Sequence, residues 1–459
     1  MSTNHYDVII VGSGLSGLSV AQFLKDTHPD LNVFLLEKEP RPGGAVRSYL
    51  QEEYQAEWGP HGFLDNNPAG RELINSVGLQ DQVQLAPLGN FARFICRHGQ
   101  LAELPQHPKK FLISPILSMP AKLRLLADLW TKPCPTDQTI GQWAGRRFGK
   151  AILPLVDAAI TGTFAGDYEK LSIDAVMPGL RQLEKQYGSV LRGLKNKKKG
   201  QTAAKKAGLP AMQNFPHGME QLTDALARGK KIQFQTEVAQ VTMVEQGWRV
   251  VTADASYQAD RLVLALPVNQ ALQLLTPLTT PPVPAIPVAR LANVLMAYGP
   301  ETKIPKAFGF LAPECEQRFC LGAMFSSAMF PDRCPQDTVL IEALVGGRRH
   351  PERLELNDAE LVARVHADLQ PLLNLPTPPR FSKVLRPAHG IPQLEMNHPA
   401  LLTWRADLEG QHPNLHVIGF GWDGIGMNEM ISAARKVADD IACQTRQAGG
   451  EKEVKPIYF

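Results

Sequence analysis

A glycine pattern set between an apolar run and a helix constrains this chain more than any other feature. The run Asp7-Val-Ile-Ile-Val11 leads into Gly12, Gly14 and Gly17, spaced G-x-G-x-x-G, and the chain then reads as a helix from Leu15 to Leu24. In that order, strand, turn and helix let the backbone approach a pyrophosphate, with Leu15 and Ser16 opening the helix whose N-terminus holds it. The stretch Val8–Leu24 carries no charge, and its 17 residues sit at the short edge of a membrane span. Three glycines and a strand-like start argue against that span. A second apolar strand, Leu31–Glu37, ends in an acid 20 residues after Gly17. A carboxylate there can accept from ribose hydroxyls. The chain is expected to bind a dinucleotide.

At 459 residues the chain exceeds one hydrophobic core, so two or three domains are expected. With 44% apolar and 20% charged residues it is neither wholly disordered nor fibrous. A net charge of +3 gives no sign of a nucleic-acid binder. The opening "MSTNHYDVII" lacks the basic segment of a signal peptide, which makes a cytoplasmic location the expectation. The six cysteines (96, 134, 315, 320, 334 and 443) form no C-x-x-C, so reduced thiols are expected, with no metal site.

The expected fold class is α/β: a discontinuous Rossmann-like nucleotide domain, a mixed α+β substrate domain and a mainly helical domain. Residues 1–75, 216–275 and 411–459 are assigned to the nucleotide domain. Within the middle piece, Lys231–Pro267 alternates like an antiparallel meander ending in a buried strand. Residues 76–215 read as mostly helical, and residues 276–410 as the substrate domain behind a proline-rich crossing at 276–288. Two segments bear on membrane contact: Lys109–Trp130, apolar with basic flanks, and the basic stretch Arg192–Gly208. The default readings are a packed helix and a solvated loop, while each also suits an anionic membrane surface.

Glu37 is followed by Lys38, Arg41, Gly43, Gly44 and Arg47. A second glycine pair with an arginine beside it suits a backbone that must also pass close to a flavin's pyrophosphate and ribityl chain. FAD is therefore expected over NAD. This run, with the fingerprint and Glu37, resembles the FAD-dependent amine oxidase superfamily. Within it, "AEWGPHGF", "TFAGDYEKLSIDAVMPGLRQLEKQYGSVLRGL", "FPHGMEQL", "KAFGFLAPECEQRFCLGAMFSSAMFPDRCP" and "GFGWDGIGMNEMI" are similar, in order, to segments of the protoporphyrinogen and coproporphyrinogen III oxidase family. The chain departs from that family at His61, usually Asn or Arg, at Phe420, usually Asn, and at His217, usually Gly.

The resemblance implies oxidation of a porphyrinogen, with protoporphyrinogen IX preferred here and coproporphyrinogen III as the alternative. Six electrons would leave in three hydride steps to non-covalent FAD, which oxygen or another electron acceptor reoxidises. The cofactor carries such chemistry and the protein supplies placement, so no catalytic triad is expected. The resemblance makes Arg93 a propionate anchor and places Gly166 in the cavity loop. It puts His61 near the flavin ring, the Val238 backbone at adenine, and the turn with Gly424, Gly426 and Met427 at the flavin pyrimidine, and counts Gly59, Pro60 and Gly419 among the cofactor-binding residues. Phe330 is read either as stacking on a pyrrole or as core. His61 is read either as an acid/base group or as a structural hydrogen-bonding residue. A carrier that binds flavin and porphyrin without turnover is the reading from another class. Family grounds allow a homodimer or a monomer, and peripheral contact with an inner membrane face.

Overall fold

The computed structural model describes residues 4–106, 108–200 and 209–443. The basic stretch beyond Gly200 and the chain after Cys443 lie outside them.

The glycine pattern joins β1 (Asn4–Val11) to α1 (Leu15–Thr27), and β2 (Val33–Leu36) follows. β1 runs parallel to β2, with Ile9 opposite Phe34. On its other side it runs parallel to the strand Ser256–Ala265, with Ile9 opposite Leu262. Ile232–Gln233 flanks β2 and Leu415–Ile418 flanks Ser256–Ala265, again parallel. Successive side chains of a strand point to opposite faces, and both faces here are covered. Val8 and Ile10 pack with α1 and the helix Met427–Cys443, whereas Ile9 and Val11 pack with Leu272, Leu401 and Trp422. Double burial is why these strands read as unbroken apolar runs. This sheet is thus assembled from three separate pieces of sequence, with Val238–Met243 and Trp248–Thr252 added antiparallel.

A second sheet has seven strands, in the order Phe381–Leu385, Leu291–Tyr298, Val339–Gly346, Gly322–Met324, Ala307–Leu311, Ala92–Arg97 and Gln100–Glu103. One face buries Val294, Met296, Ile341 and Ala343 under Leu361, Val365 and Leu369 of the helix Asp358–Leu373. The region 76–215 is less helical than its sequence pattern predicts. Residues 92–97 and 100–103 are the last two strands of this sheet, and Gln84–Pro87 pairs with Ala211–Asn214. These strands are only four to six residues long, too short for a period of two to stand out.

Helices fill residues 108–200 and are clamped by buried charge. Glu184 Oε1 lies 2.8 Å from Arg147, its Oε2 accepts from Arg181 at 2.6 Å and from Trp143 Nε1 at 2.7 Å, and Arg147 also pairs with Asp128. Among the described residues, no helix is long and apolar enough to cross a membrane. Val8–Leu24 is divided between β1, the glycine turn and α1.

Candidate active site

One continuous cavity of about 1980 Å³ runs from the glycine loop to the second sheet and the helical segment. Its volume exceeds the ~300–1,000 Å³ usual for a single small ligand, so it has room for a dinucleotide and a second large molecule.

The nucleotide end starts at Gly14. It is the N-cap of α1, no side chain caps that helix, and a Cβ on Gly14 would meet nothing nearer than the Gly44 Cα at 4.0 Å. The protein's own packing therefore does not require glycine there. The open space, above free helix N–H groups, suits a phosphate. Gly17 is different: a Cβ would fall 2.0 Å from the Gly12 carbonyl oxygen, so this glycine serves the close approach of helix and turn. Glu37 is buried at the end of β2 and accepts from Ser13 and from the Glu39 backbone N. Arg41 donates to the Pro42 and Gly44 carbonyls at 3.0 Å, which pins the second glycine turn beside the loop. Gly426 and Met427, at the start of the 17-residue helix Met427–Cys443, bring a second helix N-terminus to the cavity wall. Of the residues expected around a flavin cofactor, Gly17 alone is absent from the cavity lining. Two helix N-termini, a placed carboxylate and glycine openings fit FAD.

Beyond the loop, His61 also lines the cavity, and behind it lies a buried polar seam. His61 Nε2 is 3.0 Å from Glu342 Oε2, and Asn293 Nδ2 donates to the same oxygen at 2.6 Å. Ser326 Oγ donates to Glu342 Oε1, and Arg333 stands 3.8 Å from it. Strand pairing explains this meeting. Leu295 is opposite Glu342 and Asn293 opposite Leu344, so all four share the face turned away from the helix Asp358–Leu373. Burial alone would raise the Glu342 carboxyl, but the His61 ring, Arg333 and Ser326 overcome it and hold the group at about 2. Glu57 is also fully buried and goes the other way. Desolvation raises it despite Arg333 at 3.3 Å and hydrogen bonds from Ser48 and Asn214.

The far end of the cavity is mainly apolar, with Met212, Phe308, Met324, Phe164, Met177 and Leu180 on its walls. The three residues expected to meet substrate are not among them. Arg93 is half-buried in its strand and shares a face with Ile95, which packs onto the helical segment. Gly166 lies past the helix end, where a Cβ would strike Gln393 Oε1 at 2.7 Å, and Gly162, Thr163 and Phe164 form the wall instead. Phe330 is core: it packs with Ala86, Phe91 and Met329, under the Arg333 guanidinium at 4.7 Å. Phe308 is the aromatic ring of that region on the cavity side. Sequence reading also passed over Arg290, an exposed cavity-lining residue whose guanidinium makes no hydrogen bond or ion pair with the described residues. Arg386 and His389 line the same region. Glu342 did carry a signal, as the one acid in the otherwise apolar "VLIEALVG".

The chain is similar to known proteins over nearly its whole length. Residues 15–442 match the family model described as flavin containing amine oxidoreductase. A coproporphyrinogen III oxidase of Staphylococcus aureus (strain NCTC 8325 / PS 47) is 26% identical over 464 residues, covering 95% of this chain and 99% of that protein. A mitochondrial protoporphyrinogen oxidase of Nicotiana tabacum is 28% identical over 475 residues, covering 94% of each. A crystal structure from Exiguobacterium sp. 255-15 superposes with a TM-score of 0.77 at 21% identity, covering 97% of this chain and 100% of that one. At that identity the superposition speaks for the fold.

Proposed function

Since this chain belongs to the family of flavin containing amine oxidoreductases and is an FAD-dependent oxidoreductase, we propose that it oxidises protoporphyrinogen IX to protoporphyrin IX. The observation that carries this reading is the single cavity, in which the dinucleotide loops open directly into an apolar chamber wide enough for a macrocycle. Non-covalent FAD supplies a two-electron oxidant, and oxygen restores it. The chain's own residues bind and place the substrate. Met212, Phe308, Met324 and Met177 cover the ring faces, and Arg290 takes a carboxylate arm in the role expected of Arg93. Holding the methylene bridges against the flavin is most of the catalytic task.

A second substrate, coproporphyrinogen III, is favoured by one observation. Arg290, Arg386 and His389 put two guanidinium groups and an imidazole on the lining, and that substrate has two more carboxylates to meet them. Contact with a membrane surface rests on a separate feature. Leu112, Ile113, Met119, Leu123, Leu126 and Trp130 are all exposed, within one short stretch of the helical segment. In this reading the enzyme is cytoplasmic and rests on the membrane by that patch.

The test is steady-state turnover of both porphyrinogens side by side, following porphyrin fluorescence and hydrogen peroxide. At least about a tenfold preference for protoporphyrinogen in kcat/KM, ~1.4 kcal/mol of discrimination, is expected. The reverse preference moves the assignment to coproporphyrinogen. Failure of the FAD-loaded enzyme on both overturns porphyrinogen oxidation.

A further inference from the structure

We infer that His61 and Glu342 form a proton-accepting pair on the cavity wall, in which Glu342 positions the imidazole and His61 Nδ1 takes the proton that substrate oxidation releases. The inference rests on the preceding assignment of a porphyrinogen as substrate.

The geometry sets the direction of the proton. Glu342 is fully buried, and three groups face its carboxylate directly: His61 from the loop after Tyr54–Glu57, Asn293 from the neighbouring strand, and Ser326. The other charged or titratable groups at this seam are Arg333, 3.8 Å from Glu342, and Glu57, 3.3 Å from Arg333. With Glu342 held ionised, the hydrogen between it and the ring belongs to His61 Nε2. An imidazole with Nε2 protonated has its lone pair on Nδ1. Nδ1 has no hydrogen-bond partner among the described residues, and His61 lines the cavity. The His61 backbone carbonyl accepts from Asn214 Nδ2 at 2.8 Å, which fixes the loop that carries the ring.

Each two-electron oxidation removes a hydride and a proton from the substrate. The hydride leaves a methylene carbon for the flavin. The proton leaves a pyrrole nitrogen: the N–H bond breaks, its electron pair enters the new C=N bond, and the proton binds Nδ1. The imidazolium so formed faces a carboxylate already in place, and it returns the proton to water through the cavity before the next step. Glu342 touches no substrate. It acts through His61, by fixing the tautomer and by stabilising the charge that arrives.

The experiment uses the FAD-loaded full chain as wild type, Glu342→Gln and His61→Asn. Three readouts are needed: 15N-histidine NMR, FAD content by absorbance, and the pH profile of porphyrinogen kcat/KM. The wild type is expected to show His61 as the Nε2–H tautomer. In Glu342→Gln the Nε2–H tautomer of His61 should no longer dominate, and the acid limb of kcat/KM should move to lower pH. FAD content should stay intact. His61→Asn should lose about a hundredfold or more in turnover, with no such limb. If Glu342→Gln does not fold, Glu342→Asp replaces it, with a smaller shift of the same sign. An Nδ1–H tautomer in the wild type, or an unmoved acid limb in the Glu342 variant, overturns the pair. Wild-type enzyme inactive on every porphyrinogen sinks the substrate assignment instead, and the pair then stands or falls on the His61 tautomer in wild type and Glu342→Gln.

Discussion

Glu37 Oε2 accepts two hydrogen bonds from one residue, Ser13, at 2.7 Å from its backbone N and 2.9 Å from its Oγ. The glycine loop is therefore tied to the end of β2, and the carboxylate is aimed before any ribose arrives. Glu37→Gln keeps the shape but turns charge-assisted bonds into neutral ones, a loss of about 1.5–3 kcal/mol. FAD affinity should fall by roughly tenfold to a hundredfold in a fluorescence titration of the apoprotein. An unchanged Kd would show that Glu37 serves only the loop.

Two glycines three residues apart should fail in opposite ways. Gly14→Ala meets no atom closer than 4.0 Å, so its apoprotein should melt within a degree or two of wild type and yet not retain FAD. Gly17→Ala pushes a methyl to 2.0 Å from a backbone oxygen, and should cost at least about 2 kcal/mol of stability. Melting curves with and without FAD separate the two cases.

Arg290 is exposed, so its removal should leave the fold intact. Arg290→Ala is expected to raise KM for a porphyrinogen by about tenfold, ~1.4 kcal/mol, with kcat within about twofold. Arg93→Ala, off the cavity wall, should move melting temperature and leave KM alone. The opposite outcome for the two arginines would return the carboxylate anchor to Arg93.

Glu184 links three arginines and Trp143 inside the helical segment. Glu184→Gln leaves buried guanidinium groups underpaired, and about 3–5 kcal/mol of destabilisation is expected from denaturant unfolding. Burial opposes ionisation of Glu184, but Arg147, Arg181 and Trp143 hold it at about 2, below the ordinary 4.5. The native state thus binds fewer protons than the unfolded chain between those values. This stabilisation is fully present above pH 4.5 and is lost as pH falls toward 2. A variant whose stability matches wild type at neutral pH would refute the clamp.

His398 titrates in the same direction for a different reason. Burial pushes its imidazole down to about 4 from 6.5, so unfolding takes up a proton between those values. Stability should climb by about 3 kcal/mol as pH rises from 4 to 6.5, and His398→Gln should flatten that climb. Calorimetry at several pH values checks it.

What the sequence disclosed was local. The loop Gly12–Gly17, Glu37 and the turn at Gly43 are legible because a few consecutive residues create each of them, and the cavity gathers them as expected. The other end of the cavity depends on pairing between distant strands. Asn293 and Glu342 are 49 residues apart and meet only because register sets both on one face of a sheet. Motif similarity carried Arg93 and Phe330 into the expected site, but packing against the helices and a satellite core holds them off the wall. Arg290, a cation that is on the wall, follows a proline-rich crossing with no periodic pattern to flag it.

The three-piece construction of the nucleotide sheet has a consequence for how the protein is made. β1 and β2 are made well before Leu415–Ile418 and the helix Met427–Cys443, which follow about 380 residues later. At ~5–20 residues per second, that is a wait of roughly 20 to 80 s with doubly apolar strands uncovered. The cofactor site is complete only once the helix Met427–Cys443 brings its N-terminus to the loop Gly12–Gly17.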